Sequence, residues 1–99
     1  MMTMIRCVSP VDGSVYAERP ALSLDDAKAV IARARKAQKA WAKRPLDERI
    51  ALVLKGVARL NEMGQEVVTE LAWQMGRPVK YGGEFKGFNE RSNYMASIA

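Results

Sequence analysis

A periodic apolar stretch from Leu46 to Pro78 decides most of what this chain can fold into. Apolar residues recur at Ile50, Val53, Leu54, Val57 and Leu60, then at Val67, Val68, Leu71, Ala72 and Met75. This three-and-four spacing marks one face of a helix. Asn61-Glu62-Met63-Gly64 interrupts it with residues suited to leaving a helix through a left-handed conformation, so two helices are expected. Gly76 ends the second in the same way, and Pro78 cannot extend it because it lacks an N–H. The remainder of the chain is expected to pack onto this pair.

Before the pair, Met4 to Val8 and Ser14 to Ala17 suit strands, and Ser9-Pro10-Val11-Asp12-Gly13 between them suits a tight turn followed by a bulge. The expected hairpin spans 4–19. A two-stranded ribbon is marginal in water, so it must lie on another surface. Ser23, with Asp26 three residues on, can cap a first helix whose apolar positions are Leu24, Ala27, Val30, Ile31, Ala34, Ala37 and Trp41. Its other face carries Lys28, Arg33, Arg35, Lys36, Lys39 and Lys43, and a solvated face accounts for these charges because no aromatic residues are interleaved to stack on bases. Pro45 falls in the first turn of the next helix, followed by Asp47 and Glu48 near its positive end. Gly82-Gly83 marks a loop before a last amphipathic run containing Phe85, Phe88, Ser92 and Met95. Helices are thus expected over 23–43, 46–62, 65–75 and 84–98. The last lacks a stop signal, as if the chain were cut inside a helix.

The 99 residues carry a net charge of +5 and no histidine, which removes the commonest general base and the commonest zinc ligand. The basic residues are spread among acids, which argues against a nucleic-acid partner. A single cysteine, Cys7, excludes an internal disulfide and any multi-cysteine metal site. No apolar run approaches the roughly 18 residues of a membrane span, and no signal peptide opens the chain. A cytoplasmic location is expected. Cys7 has no base to activate it and reads as a strand residue. The pairs Asp25-Asp26 and Asp47-Glu48 sit where helix dipoles explain them, and Gly82-Gly83 lacks the surroundings of a phosphate loop. Composition and spacing alone therefore point to no catalytic residue, no cofactor-binding residue and no metal ligand.

The order of motifs adds what composition cannot. Ser9-Pro10-Val11-Asp12-Gly13 precedes a helix closing on Ala40-Trp41. Pro45-Leu46-Asp47-Glu48-Arg49 follows, then Glu70-Leu71-Ala72-Trp73-Gln74-Met75-Gly76-Arg77-Pro78. The series resembles the N-terminus of the NAD(P)-dependent aldehyde dehydrogenase family, which opens with an NP-x-[TD]-G hairpin, a helix ending on Trp, a P-x-x-E-R helix start and an E-x-x-x-x-G-[KR]-P helix end. Glu70 stands one residue further from Gly76 than that spelling. Asn93 to Ser97 resembles the family's R-Y-Y-A-G, with departures at Asn93, Met95 and Ser97.

The resemblance implies a mainly α chain with a short N-terminal β-hairpin, a fragment of the α/β aldehyde dehydrogenase fold belonging to its cofactor-binding domain. The parent would oxidise an aldehyde to a carboxylic acid with NAD or NADP, through a cysteine nucleophile and a glutamate base absent from these residues. The isolated chain is expected to be inactive and to bind no cofactor. Its partners would be the remainder of the enzyme chain and further copies in a homo-oligomer. Alignment on Asn93 to Ser97 puts Gly87, Glu90 and Arg91 nearest the substrate entrance, although an exposed surface charge also explains Arg91. The rival readings are a free-standing basic helical module that binds nucleic acid or an acidic partner, and an amphipathic helix lying on a membrane surface.

Overall fold

A computed structural model describes residues 3–99. The chain begins with an antiparallel ribbon of β1 (Met4–Val8) and β2 (Val15–Pro20), followed by helices α1 (Leu24–Ala42), α2 (Leu46–Glu62), α3 (Gly64–Met75) and α4 (Phe85–Ser97). A 3-10 segment, Val79–Glu84, joins α3 to α4. No helix among the described residues is long and apolar enough to cross a membrane.

The ribbon closes on its own polar groups. Ser9 donates its N–H to the Ser14 carbonyl at 2.8 Å and accepts from Gly13 N–H at 2.9 Å, while its hydroxyl accepts from Val11 N–H at 3.2 Å. It is buried, only 1% exposed, at little cost because these groups are partnered. Gly13 takes φ 76°, the conformation expected of it. Cys7 faces Ala17 and Val8 faces Val15, so Tyr16 is the extra residue of a bulge. The second strand runs past the expected end at 19 to Pro20, because Met4 pairs with Pro20 and Arg6 pairs across the ribbon with Glu18 at 2.7 Å.

Ser23 caps α1: its hydroxyl accepts from Asp26 N–H at 3.1 Å and donates to the Asp26 carboxylate at 2.7 Å. The helix proper is therefore 24–42, with Ser23 and Lys43 as caps rather than helical residues. Pro45 precedes α2 instead of lying in its first turn, since its ψ of 144° is extended. The break between α2 and α3 also differs from expectation. It uses no left-handed residue; Met63, at φ −89° and ψ 9°, ends one helix and starts the next, and α3 begins at Gly64 rather than at 65. Gly64 takes a helical conformation, and a Cβ there would meet the Phe85 ring at an ordinary contact distance of 3.8 Å. Asn61 is also used across the helices: its amide exchanges hydrogen bonds with that of Asn89 on α4, at 2.7 and 2.8 Å.

Gly76 ends α3 at φ 73°. Gly82, Gly83 and Glu84 then take φ 69°, 64° and 69°, so Glu84 caps α4 from outside the helix instead of starting it at 84. At the other end Ile98, with φ −103° and ψ 1°, caps α4 beyond its last helical residue, Ser97.

These elements form an open plate. The radius of gyration is 17.7 Å and the extents are 48 × 40 × 18 Å, whereas a compact domain of this length has a radius near ~13 Å. No hydrophobic residue among those described is fully buried; Leu24, Ile31, Met75 and Val79 are all more than half exposed. Leu54 and Val57 on α2 and Val67, Val68 and Leu71 on α3 are half-buried; α2 packs on α4 and α3, and α3 on the 3-10 segment.

Candidate functional site

The face of α4 expected at a substrate entrance is assembled by helix geometry. Gly87, Glu90 and Arg91 are three and four residues apart, so they share one side of α4, and all three are exposed. Tyr94 continues the same side, with the Arg91 guanidinium 5.7 Å from its ring centre. Within the described residues neither Glu90 nor Arg91 enters an ion pair, and nothing lies within 4 Å of a Cβ built on Gly87. The patch thus presents a cation held over an aromatic ring beside a bare stretch of backbone. Tyr94 was not singled out for this role by sequence reasoning; its signal was the spacing of three from Arg91.

The adjoining side of α4 borders a second feature. Phe88, Ser92, Met95 and Ala96 face Trp41 from α1 and Ile50 and Val53 from α2 across an open, mostly apolar cleft of about 550 Å³. Arg49 and Arg91 stand on its lining, so Arg91 is shared between cleft and patch. Gly87 and Glu90 lie outside it. The cleft was legible only as separate helix faces, since its formation depends on how α2 and α4 cross.

The ribbon sits on α3, at a distance from both features in sequence and in contacts. Tyr16, turned by the bulge, lies parallel to Trp73 with ring centres 6.3 Å apart, an offset stack. Its phenol pKa is raised above the usual value by desolvation and then by the influence of the Glu70 carboxylate. Cys7 Sγ lies 3.7 Å from the Gln74 carbonyl oxygen, and Pro10 Cγ would lie 3.3 Å from a Cβ on Gly76. Cys7 is half-buried in this packing, and no group of three or more possible metal ligands occurs among the described residues. In the turn, Asp12 accepts from Ser14 N–H at 3.0 Å and Ser14 Oγ at 2.6 Å, and these bonds hold its carboxyl below the usual range.

Gly82 and Gly83 do not resemble a phosphate cradle. Gly83 is buried, and a Cβ there would lie 2.8 Å from Val68 Cγ2 and 3.3 Å from two Phe85 ring carbons, so its smallness serves packing. The two glycines thus serve the turn and its packing.

Comparison with known proteins gives this arrangement its context. The model of the aldehyde dehydrogenase family matches residues 2–98. A vanillin dehydrogenase of Corynebacterium glutamicum is 36% identical over 69 residues, which is 70% of this chain and 14% of that protein. The matched region is thus about one-seventh of the relative's length. No solved structure matches the chain. Ribbon, Trp-terminated helix, Pro-initiated helix and Gly-Arg-Pro stop occur together in a match that runs almost end to end, and the chain belongs to the aldehyde dehydrogenase family.

Proposed function

We propose that this chain forms the N-terminal layer of an aldehyde-oxidising enzyme and contributes one wall of its substrate entrance. The observation that carries the reading is the pairing of a family match over 2–98 with an open plate whose apolar helix faces remain uncovered. Uncovered faces of that extent fit a surface built against further protein. In the proposed parent, α2 and α4 rest on the body that holds the cysteine nucleophile, the glutamate base and the NAD or NADP site. The cofactor supplies hydride acceptance; this chain's own residues border the route by which the aldehyde arrives.

On this reading Arg91 and Tyr94 meet the substrate before the chemistry does. The exposed guanidinium attracts an anionic or electron-rich aldehyde, while Glu90 beside it limits the attraction. The likeness to a protein named for vanillin makes aromatic aldehydes the first substrates to test. On the same reading the parent works as a cytoplasmic homo-oligomer.

The test has two arms. The purified 99-residue chain, incubated with NAD or NADP and vanillin, is expected to give no rise in nicotinamide absorbance above a boiled control; a rise overturns the proposed division of labour. In a longer enzyme carrying this segment, Arg91→Ala is expected to raise KM for anionic aldehydes several-fold and leave kcat nearly unchanged. An unchanged KM removes the entrance role.

A further inference from the structure

Glu84 is the one non-glycine residue among those described with a positive φ. It follows two glycines in the same left-handed region, so three consecutive residues turn the chain in a sense that side chains resist. A third glycine would remove that resistance, yet a glutamate stands there. Its carboxylate Oε1 lies 2.6 Å from Arg77 Nε, across the whole 3-10 segment. The Nε–H does not point at the oxygen, and no other acceptor reaches this solvent-shielded atom. The contact is therefore an ion pair, not an aligned hydrogen bond. The same guanidinium lies 4.8 Å from the Tyr81 ring centre, so Arg77 is fixed by aromatic contact on one side and by Glu84 on the other.

We propose that Arg77 and Glu84 form a latch that holds a strained left-handed turn closed and so sets the position of α4. α4 carries Gly87, Glu90, Arg91 and Tyr94, and its first turn follows directly from Glu84. Arg77 in turn follows the Gly76 stop of α3. The pair thus ties the end of one helix to the start of the next, and releasing it lets α4 move while α3 stays in place. The consequence for substrate entry rests on the entrance reading above, but the latch itself does not.

Hydrogen exchange of the Phe88 to Ser92 amides in the 99-residue chain tests the latch directly. Glu84→Gln keeps the strain and removes the charge; Arg77→Met removes the other partner. Each is expected to speed exchange there more than ~threefold, with α2 unaffected. The double variant is expected to match the faster single variant, because the second substitution finds the ion pair already broken. Glu84→Gly relieves the strain, so it is expected to exchange more slowly than Glu84→Gln. Smaller accelerations, multiplicative effects in the double variant, equal rates for the Gln and Gly variants, or unprotected amides in the unsubstituted 99-residue chain each overturn the proposal. Failure of the Arg91 kinetic test would leave this exchange pattern unchanged, so the two ideas fall separately.

Discussion

Three glycines within six residues should respond to the same substitution in three different ways. Gly82 has φ 69° with nothing within 4 Å of a built Cβ, so Gly82→Ala meets only the left-handed backbone penalty, about 1–2 kcal/mol. Gly83 has φ 64° and is buried, with Val68 Cγ2 at 2.8 Å and Phe85 Cδ2 and Cε2 at 3.3 Å. Two carbons prefer a separation of about 3.5–4.0 Å, and relieving such overpacking costs a further ~1–3 kcal/mol. Gly83→Ala should therefore destabilise by roughly 2–5 kcal/mol, the sum of the two effects. Gly87 lies inside α4 with open space around it, so Gly87→Ala should stabilise by about 0.5–1 kcal/mol. Urea unfolding followed by helical circular dichroism gives the ranking. Val68→Ala in the Gly83→Ala background should recover most of the overlap but none of the backbone penalty. If Gly83→Ala and Gly82→Ala agree within ~0.5 kcal/mol, the packing argument around Phe85 is wrong.

Other expectations follow from single contacts. Ser23→Ala removes the hydroxyl that caps α1 and should cost about 1 kcal/mol of helix stability, measured by the amide exchange of Ala27 to Ile31. Trp73→Ala removes the surface on which Tyr16 lies, and the thiol of Cys7 should then react faster with a disulfide reagent; an unchanged rate would place the ribbon's anchor elsewhere. The folded pKa of Asp12 is lowered from 3.8, so its contribution is present above that pH and is lost as pH falls through the lower folded value. Ser14→Ala should reduce this acid sensitivity of the turn amides. The folded pKa of Tyr16 is raised above 10.0, so its contribution is intact below pH 10 and declines as pH rises through the folded value. Tyr16→Phe should remove that alkaline decline in ribbon order, read from the amide shifts of β1.

The parts of this chain that were legible in sequence are those decided within a few residues. The Ser23 cap, the Gly13 turn and the Gly76 stop each depend on one side chain, or its absence, acting on nearby backbone. The misread positions are those where a distant element decides. Gly64 looked like a left-handed helix exit, but it is the first residue of α3 and packs beside the Phe85 ring, 21 residues on. Asn61 looked like part of the same exit, and its amide is instead committed to Asn89 on α4. Glu84 reads as a helix former, yet it stands outside the helix at φ 69° with its carboxylate beside Arg77, on the other side of a turn. The candidate entrance divides along the same line. That Gly87, Glu90 and Arg91 share a face follows from 3.6 residues per turn, and Tyr94 could have been added by the same arithmetic. That Arg91 also borders an apolar cleft depends on where Trp41, Ile50 and Val53 come to rest, which no local spacing encodes.

The absence of a closed core has a physical consequence for how the chain holds together. With no described hydrophobic residue fully buried, burial contributes little at any single point, and small directional contacts carry unusual weight. The stacked Tyr16 and Trp73, the reciprocal Asn61 and Asn89 amides and the Arg77–Glu84 ion pair each join elements that no shared core would otherwise hold in register. Such contacts are individually worth little in water because solvent competes for them. Covering the plate with further protein would exclude that solvent and strengthen all three together. The same cover would remove the exposed faces of Leu24, Ile31, Met75 and Val79 from water. Stability and assembly are therefore one equilibrium here: conditions that tighten the side-chain contacts are those that bury the helix faces, and the isolated chain should gain both or neither.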